Sequence, residues 1–302
     1  MTSTISNSLS AILICPKCVS ALNVSHQGAK CGQCNLLYKF RESGSLDLRL
    51  QQEKRTQYEF SLGTPLIPEA GFEFSVLPMN NSPAVEFSNV DVPRHLTREL
   101  MSYIPKASSA DSLMLDLGCG STVHQAVCEH AGYEYVGLDY TSDASPILGD
   151  AHALPFKDNS FEFILSIAVL EHIQFPFVMT REAYRVLKPG GMFIGTVAFL
   201  EPFHESSFYH HTHLGTYNSL SESGFEIECV APSNRWSVLI AQAHMGLFPR
   251  MPRFLAFSLV MPILYASKLW WKIWRLVNKT ASEEMRVLVT TGAFTFIARR
   301  KA

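Results

Sequence analysis

The sequence predicts an α/β protein: a Rossmann-like doubly wound, mostly parallel sheet, preceded by a small zinc ribbon and carrying a helical insertion before the last strand. Three observations predict it. The first is LDLGCG, Leu115 to Gly120, followed roughly twenty residues later by Tyr135-Val136-Gly137-Leu138-Asp139. The second is the alternation of apolar strand patterns with helical patterns from Leu113 onward. The third is a pair of CxxC knuckles, Cys15/Cys18 and Cys31/Cys34, twelve residues apart.

A buried strand that runs into a glycine turn and a helix, with a carboxylate closing the next strand, is the layout of a nucleotide-type cofactor site in a Rossmann-like sheet. Glycines let the backbone approach the ligand, and an acid can hold both ribose hydroxyls. Strands are expected near 113 to 118, 134 to 139, 161 to 167, 192 to 199, 225 to 231 and 286 to 299, with a short one before Asp150. Helices are expected near 122 to 131, 175 to 187 and 214 to 223. Such alternation places helices on both faces of a mostly parallel sheet and ligands beyond the carboxyl ends of its strands.

The two knuckles, CPKC and CGQC, supply four thiolates for tetrahedral Zn2+. A segment this short has too little core to fold without such help. Disulfides are the competing reading, disfavoured by the paired CxxC spacing in a chain read as intracellular. Cys119, Cys128 and Cys229 are scattered and read as small core residues. The ribbon is placed at 11–50, with Leu36, Tyr38 and Phe40 alternating as a strand would. Residues 51–92 are polar, rich in Pro, Asn and Ser, and read as a linker that wraps the next domain. The third unit is 93–302, opening with a helix near Pro93 that has Leu96, Leu100 and Tyr103 on one face.

With 302 residues the chain can bury a full core. A net charge of -2 offers no global attraction to nucleic acid. The start, MTSTISNSLS, lacks the basic region and cleavage site of a secretory signal, so a cytoplasmic protein is expected. No run reaches the roughly 20 apolar residues of a simple spanning helix.

The ordered series LDLGCG, GLDY, GDAHALPFKDNSFEFILSIAVLEHI and REAYRVLKPGGMFIGTVAF closely resembles the class I S-adenosylmethionine-dependent methyltransferases, in their type 11 branch. The resemblance covers about residues 93 to 231, and 286 to 299 is similar to the branch's last, antiparallel strand. Separately, ICPKC to SLDLRL resembles the Trm112-like zinc ribbons that often precede such domains. The resemblance implies S-adenosyl-L-methionine as cofactor, with Gly118 and Gly120 amides near its methionine carboxylate and Asp116 near its ammonium. It implies Asp139 on the ribose diol, Asp150 and Ala151 at the adenine amine, and Ile167 or Ala168 lining the pocket. Ser121 and Thr122 occupy the third small position of the glycine loop, a departure from the pattern. His172 reads either as a loop histidine that caps a helix or as a residue beside the sulfonium.

Methyl transfer is an in-line displacement that rests on alignment, and an oxygen or nitrogen acceptor also needs a base. The candidates lie in PFHESSFYHHTHLGTY, where His204, His210, His211 and His213 stand beside Tyr209; His210 or His213 is the expected base. A second metal site and a solvated loop with helix-capping histidines compete for this segment. The acceptor clue is the insertion 233–288, which holds all four tryptophans and eight Arg or Lys against two Glu, a net +6 that leaves -8 on the remainder. Its stretch Phe254 to Ser267 is apolar and interrupted by Pro262, and Lys268, Lys272, Arg275 and Lys279 then recur on one helical face beside Trp271 and Trp274. A basic stripe with flanking tryptophans suits an in-plane helix at an anionic membrane surface, hence a peripheral place on the inner membrane. A buried hairpin over the sheet edge or a dimer interface is the competing reading.

The leading expectation is therefore a methyltransferase acting on a small or amphiphilic acceptor such as a lipid, a quinone-like ring or a lipid-linked sugar, with O-methylation. An RNA methyltransferase using Lys17, Lys30, Lys39 and Arg41 of the ribbon, and a non-catalytic partner-binding protein, are the alternatives.

Overall fold

The structure, a computed structural model, describes residues 5–60, 75–203, 206–278 and 280–302. Its first helix, α1 (Asn7–Ile12), was not expected from the sequence; Ser6 caps it by accepting a hydrogen bond from the Leu9 amide. The ribbon then forms a small antiparallel sheet of β1 (Leu22–Ser25), β2 (Gly28–Cys31) and β3 (Leu37–Tyr38). The next strand, β4 (Leu46–Asp47), leaves that sheet and pairs in parallel with the edge of the main one.

The short α2 (Arg98–Met101) starts after Thr97, whose side chain accepts from the Leu100 amide. The turn at Pro93 remains outside the helix, but Leu96 and Leu100 are buried as the apolar face required. Then follow β5 (Leu113–Leu117), α3 (Gln125–His130), β6 (Glu134–Asp139), β7 (Ile147–Leu148), β8 (Phe161–Ile167), α4 (Pro176–Val186) and β9 (Leu187–Ala198). The chain continues through α5 (His213–Ser221), β10 (Glu226–Pro232), α6 (Val238–Gln242), α7 (Arg253–Val277), α8 (Glu283–Thr290) and β11 (Ala293–Arg299).

The main sheet has the order β10-β11-β9-β8-β5-β6-β7-β4. Neighbours from β9 to β4 run parallel, and β11 runs antiparallel to both β9 and β10. Every residue of β5 is buried, which requires cover on both faces. Leu113, Leu115 and Leu117 enter one core with Phe156 and Phe193, while Met114 enters the other with Val127 and Phe163. The first core also takes Leu13, Tyr38, Leu46 and Leu48, so the ribbon and the sheet share one apolar interior.

Two expectations are corrected. The stretch 286 to 299 is not one strand: Ser282 caps α8 through the Met285 amide, and Glu283 pairs with Arg286 one turn on at 2.6 Å. The capping serine and acidic first turn outweigh the strand propensity of Val287 to Thr291. The break expected at Pro262 is also absent, because α7 runs unbroken through it for 25 residues. At 1.5 Å per residue that is about 37 Å, so by length and composition this helix is long and apolar enough to cross a membrane.

Candidate cofactor and acceptor site

The carboxyl ends of β5, β6 and β8 open on a cavity of about 560 Å³. Gly118, Asp139, Asp150, Ala151, Ala168, Val169 and His172 line it, and the loop residues Ser206 and Phe208 close it. Gly118 has φ +81°, and a Cβ there would lie 2.3 Å from Val169, so only glycine fits where the turn passes under β8. The Asp139 carboxylate ends β6 and holds the adjoining turn: Oδ1 accepts from the amides of Thr141 at 2.9 Å and Ser142 at 2.8 Å, and Oδ2 accepts from the Gly120 amide at 3.0 Å. With two amides on Oδ1, the free lone-pair direction for a further donor is on Oδ2.

The sequence-expected residues divide. Gly118, Asp139, Asp150, Ala151 and His172 share this cavity. Asp116 is fully buried behind it; its Oδ2 accepts from Tyr135 Oη at 2.8 Å and faces His124 Nδ1 at 3.4 Å. Burial opposes the His124 charge, but Asp116 outweighs it and raises the imidazole above its ordinary range. Ile167 points into the core, and the next residue, Ala168, lines the cavity. The Gly118 amide donates to Leu138 O at 2.8 Å and the Gly120 amide to Asp139, so both glycine-turn amides are committed within the protein.

Asp150 is tied to a residue the sequence reading overlooked. Its Oδ1 accepts from the His152 amide at 2.9 Å and from Nδ1 at 2.7 Å, while Nε2 of the same ring accepts from the Phe175 amide at 3.1 Å. That amide fixes the tautomer, with the proton on Nδ1. Burial works against the Asp150 charge, yet the His152 hydrogen bonds prevail and hold the carboxyl below its usual range. The spacing Asp150-Ala151-His152 was the available signal.

Phe175 leads into a second cavity of about 450 Å³. Its walls combine the rings of Tyr58, Phe60, Phe175, Phe177, Tyr209, His210 and His211 with the polar Gln174, Thr212, Asn218 and Ser219. Gln174 lines both cavities, and Tyr209 Oη donates to its carbonyl at 3.2 Å. The amides of Phe208 and Tyr209, one on each side, both donate to Glu171 O, at 2.8 and 3.2 Å. The partition between the cavities is thus made by the segments after β8 and β9.

The histidines separate in the same way. His172 faces the first cavity with Ser206 Oγ 3.1 Å from its Nδ1, and His210 faces the second. His211 is buried with Nε2 3.2 Å from Leu170 O, and burial lowers its pKa. His213 starts α5 with its ring 5.7 Å from Phe294, and burial lowers its pKa as well. His204 lies outside the described residues. Beside them Glu171 is fully buried, neither carboxylate oxygen has a partner among the described residues, and burial pushes the acid up to about 7 with a further push from Glu201.

In the ribbon, Cys15, Cys18, Cys31 and Cys34 bring their sulfurs within 4.8 Å of one another, with Cys15–Cys34 at 3.6 Å and Cys18–Cys31 at 3.4 Å. Four thiolates at about 2.3 Å from one tetrahedral ion lie about 3.8 Å apart, so the soft donor set and its spacing are compatible with Zn2+. Cys119, Cys128 and Cys229 lie apart, and burial raises all three thiols above the ordinary range. They are unsuited to nucleophilic work.

Residues 115–195 match the family model described as a methyltransferase domain. An uncharacterized methyltransferase of Mycobacterium avium (strain 104) is 29% identical over 188 residues, covering 52% of this chain and 73% of that protein. One from Mycobacterium leprae (strain Br4923) is 32% identical over 115 residues, covering 33% and 43%. Among solved structures, an S-adenosylmethionine-dependent methyltransferase from Mesorhizobium loti is similar at TM-score 0.41 and 18% identity, over 67% of this chain and 95% of that one. The matched segment begins in the strand before Gly118 and ends in β9, spanning Asp139, Asp150 and His172 of the first cavity. With its cofactor motifs in the matched order, the chain carries an S-adenosylmethionine-dependent methyltransferase domain over residues 115–195.

Proposed function

We propose that this enzyme methylates an oxygen of an amphiphilic acceptor, such as a lipid, a quinone-like ring or a lipid-linked sugar, at an anionic membrane surface. In this reading Asp139 grips the ribose diol, Asp150 and Ala151 meet the adenine, and the turn at Gly118 and Gly120 closes on the methionine end with Asp116 behind it. S-adenosylmethionine supplies a methyl on a cationic sulfur: the acceptor oxygen takes the methyl carbon while the sulfur keeps the electron pair of the broken bond. The acceptor's proton passes to His210, the histidine on the acceptor side, with His172 and His213 in reserve as candidates. The four ribbon cysteines hold a structural Zn2+.

The observation that carries the membrane reading is α7. Only 11% of its most apolar stretch is buried, and Phe254, Leu259, Ile263, Tyr265, Leu269 and Trp270 are exposed. Exposed apolar area on this scale marks a surface made to be covered. Lys268, Lys272 and Arg275 are exposed on the same helix, with Trp270 stacked on Trp274 at 6.5 Å; Lys279 lies outside the described residues. Cationic side chains beside tryptophans match anionic headgroups above an acyl boundary. The root of the insertion also meets the catalytic end of the sheet, since Trp236 Nε1 donates to Glu201 at 2.6 Å just past β9.

Co-sedimentation with liposomes tests this. The full chain is expected to pellet with vesicles containing anionic lipid and to lose at least tenfold of that binding when Lys268, Lys272 and Arg275 are all changed to Glu, at about 1 kcal/mol per basic residue. Equal binding by the reversed variant, or none by a cofactor-competent wild type, overturns the membrane assignment.

A further inference from the structure

Helix α7 is long enough to cross a bilayer, yet its attachments oppose a crossing. The chain leaves the sheet after Pro232 and returns at Ala293, and the two strands of that exit are stitched together: Ser237 bridges Thr291, and the Gly292 amide donates to Trp236 O at 2.7 Å. Both halves of α7 are held by the same domain. Ala256 and Val260 pack on Ala243 of the π-helical turn Ala243–Leu247, while Trp271, Lys272 and Arg275 share a cavity of about 230 Å³ with Ala281, Ser282 and Glu283 at the start of α8. Helix α8 is fastened in turn, with Val287 buried and Leu288 packed on the main core. A spanning helix puts its ends on opposite sides of about 30 Å of hydrocarbon, so a second segment must cross to bring the chain back. The neighbours available, Val238–Leu247 and Glu283–Thr290, are about 15 and 12 Å long, and neither reaches across.

At about 100° per residue, the sides of α7 separate three ways. Ala256, Val260, Leu264 and Trp271 face the domain and are wholly or partly covered. Leu255, Leu259, Ile263, Leu269, Ile273 and Leu276 are all exposed and fall within an arc of about 140° on the opposite side. Lys268, Lys272 and Arg275 occupy the flank between the two. Cations and apolar arc thus run side by side along the second half of the helix, whereas a spanning helix gathers its charges at its ends. We propose that α7 lies in the plane of one leaflet of an anionic bilayer without crossing it, with this arc in the acyl boundary and the three cations at headgroup level. This deepens the membrane placement proposed above and rests on it. A second copy of the chain would bring another set of the same cations to the face, whereas an anionic leaflet neutralises them. Pro232 pairs with Phe294, and Ala293 with Ala198 at the end of β9, so the anchor springs from the carboxyl end of the parallel strands, where the first cavity opens. The leaflet that holds α7 therefore lies at the catalytic end of the sheet.

The test places a reporter tryptophan at one of three points along the exposed side, by Leu255→Trp, Ala266→Trp or Ile273→Trp. Trp270, Trp271 and Trp274 are changed to Phe in each full-length variant, and Trp236 stays as a constant background. Fluorescence is read at saturating vesicles of phosphatidylglycerol and phosphatidylcholine, the latter brominated either near the headgroup or near the chain end. All three reporters are expected to be quenched about twofold more by the shallow bromines. A crossing helix would separate Leu255 from Ile273 by about 27 Å and carry Ala266 to the deep bromines; that profile overturns the in-plane placement. Leu259→Glu combined with Ile273→Glu is expected to lose at least tenfold of vesicle binding and to leave S-adenosylhomocysteine affinity, measured by calorimetry, unchanged. Equal vesicle binding by that double variant overturns the proposal, as does a stable dimer in solution that the double variant dissociates. Vesicle binding without quenching at any position overturns the embedding and keeps the surface attachment by charge. No vesicle binding by a chain that takes S-adenosylhomocysteine overturns both.

Discussion

Replacing Cys15 and Cys31 together with serine is expected to collapse far more than the ribbon. Both sulfurs belong to the four-cysteine cluster, and both residues are fully buried in the core that also holds Leu138, Ile147 and Phe156 of the main sheet. Tyr38 is buried against the cluster with its hydroxyl 3.3 Å from Cys15 Sγ. A metal that organises such a segment contributes folding free energy directly, on the order of 10 kcal/mol in small isolated sites, and loss of even half of that exceeds the usual cost of a point mutation. The double variant should contain no zinc and unfold at much lower urea concentration, and its affinity for S-adenosylmethionine should fall as well. The last effect follows from Arg49, which pairs with Asp47 at 2.6 Å and donates to Tyr140 O at 3.1 Å, beside Asp139 of the first cavity. Metal analysis and denaturation with and without chelator check this; a wild type indifferent to chelation would refute it.

Glu171→Gln is expected to change how stability depends on pH. Burial raises the folded-state pKa of Glu171 to about 7 from an ordinary 4.5. Below pH 4.5 the acid is protonated in both states and imposes no penalty. As pH rises toward 7 the unfolded chain loses this proton first, so stability falls across that window and levels off above it. Two and a half units correspond to about 3 kcal/mol. The amide cannot ionise, so relative to wild type the variant should gain about 3 kcal/mol between pH 4.5 and pH 8. Urea unfolding at both pH values measures it, and parallel behaviour of the two proteins would mean that Glu171 is paired in solution.

Much of the frame was readable because its signals are local. LDLGCG and GLDY each place a strand, a turn and a functional side chain within six residues, and the structure brings Gly118 and Asp139 to one cavity. The short strand before Asp150 also followed from pattern, while the reversed direction of the last strand followed from the family resemblance and its expected start at 286 was too early. What stayed hidden depends on contacts distant in sequence. Tyr58 and Phe60 sit in a polar stretch with no periodicity, and the ring they pack against, Phe177, lies more than a hundred residues on. Glu171 stood beside the noticed His172, but its burial is imposed by the later loop whose amides bond its carbonyl. In α7 the proline suggested a break, whereas a helix can absorb one missing amide when its remaining bonds hold.

The parallel pairing of β4 with β7 has a consequence for solubility. The outermost cofactor-side strand, β7, is two residues long and fully buried, and the Leu148 carbonyl accepts the Leu48 amide at 2.7 Å. Without the ribbon that carbonyl and the leucines around it would form a bare sheet edge, the kind that templates pairing between chains. With it, the border is a strand of two residues whose Asp47 pairs with Arg49, a short and charged edge of the kind that discourages pairing between chains. A truncated form lacking the ribbon is therefore expected to expose that edge and to self-associate where the full chain does not.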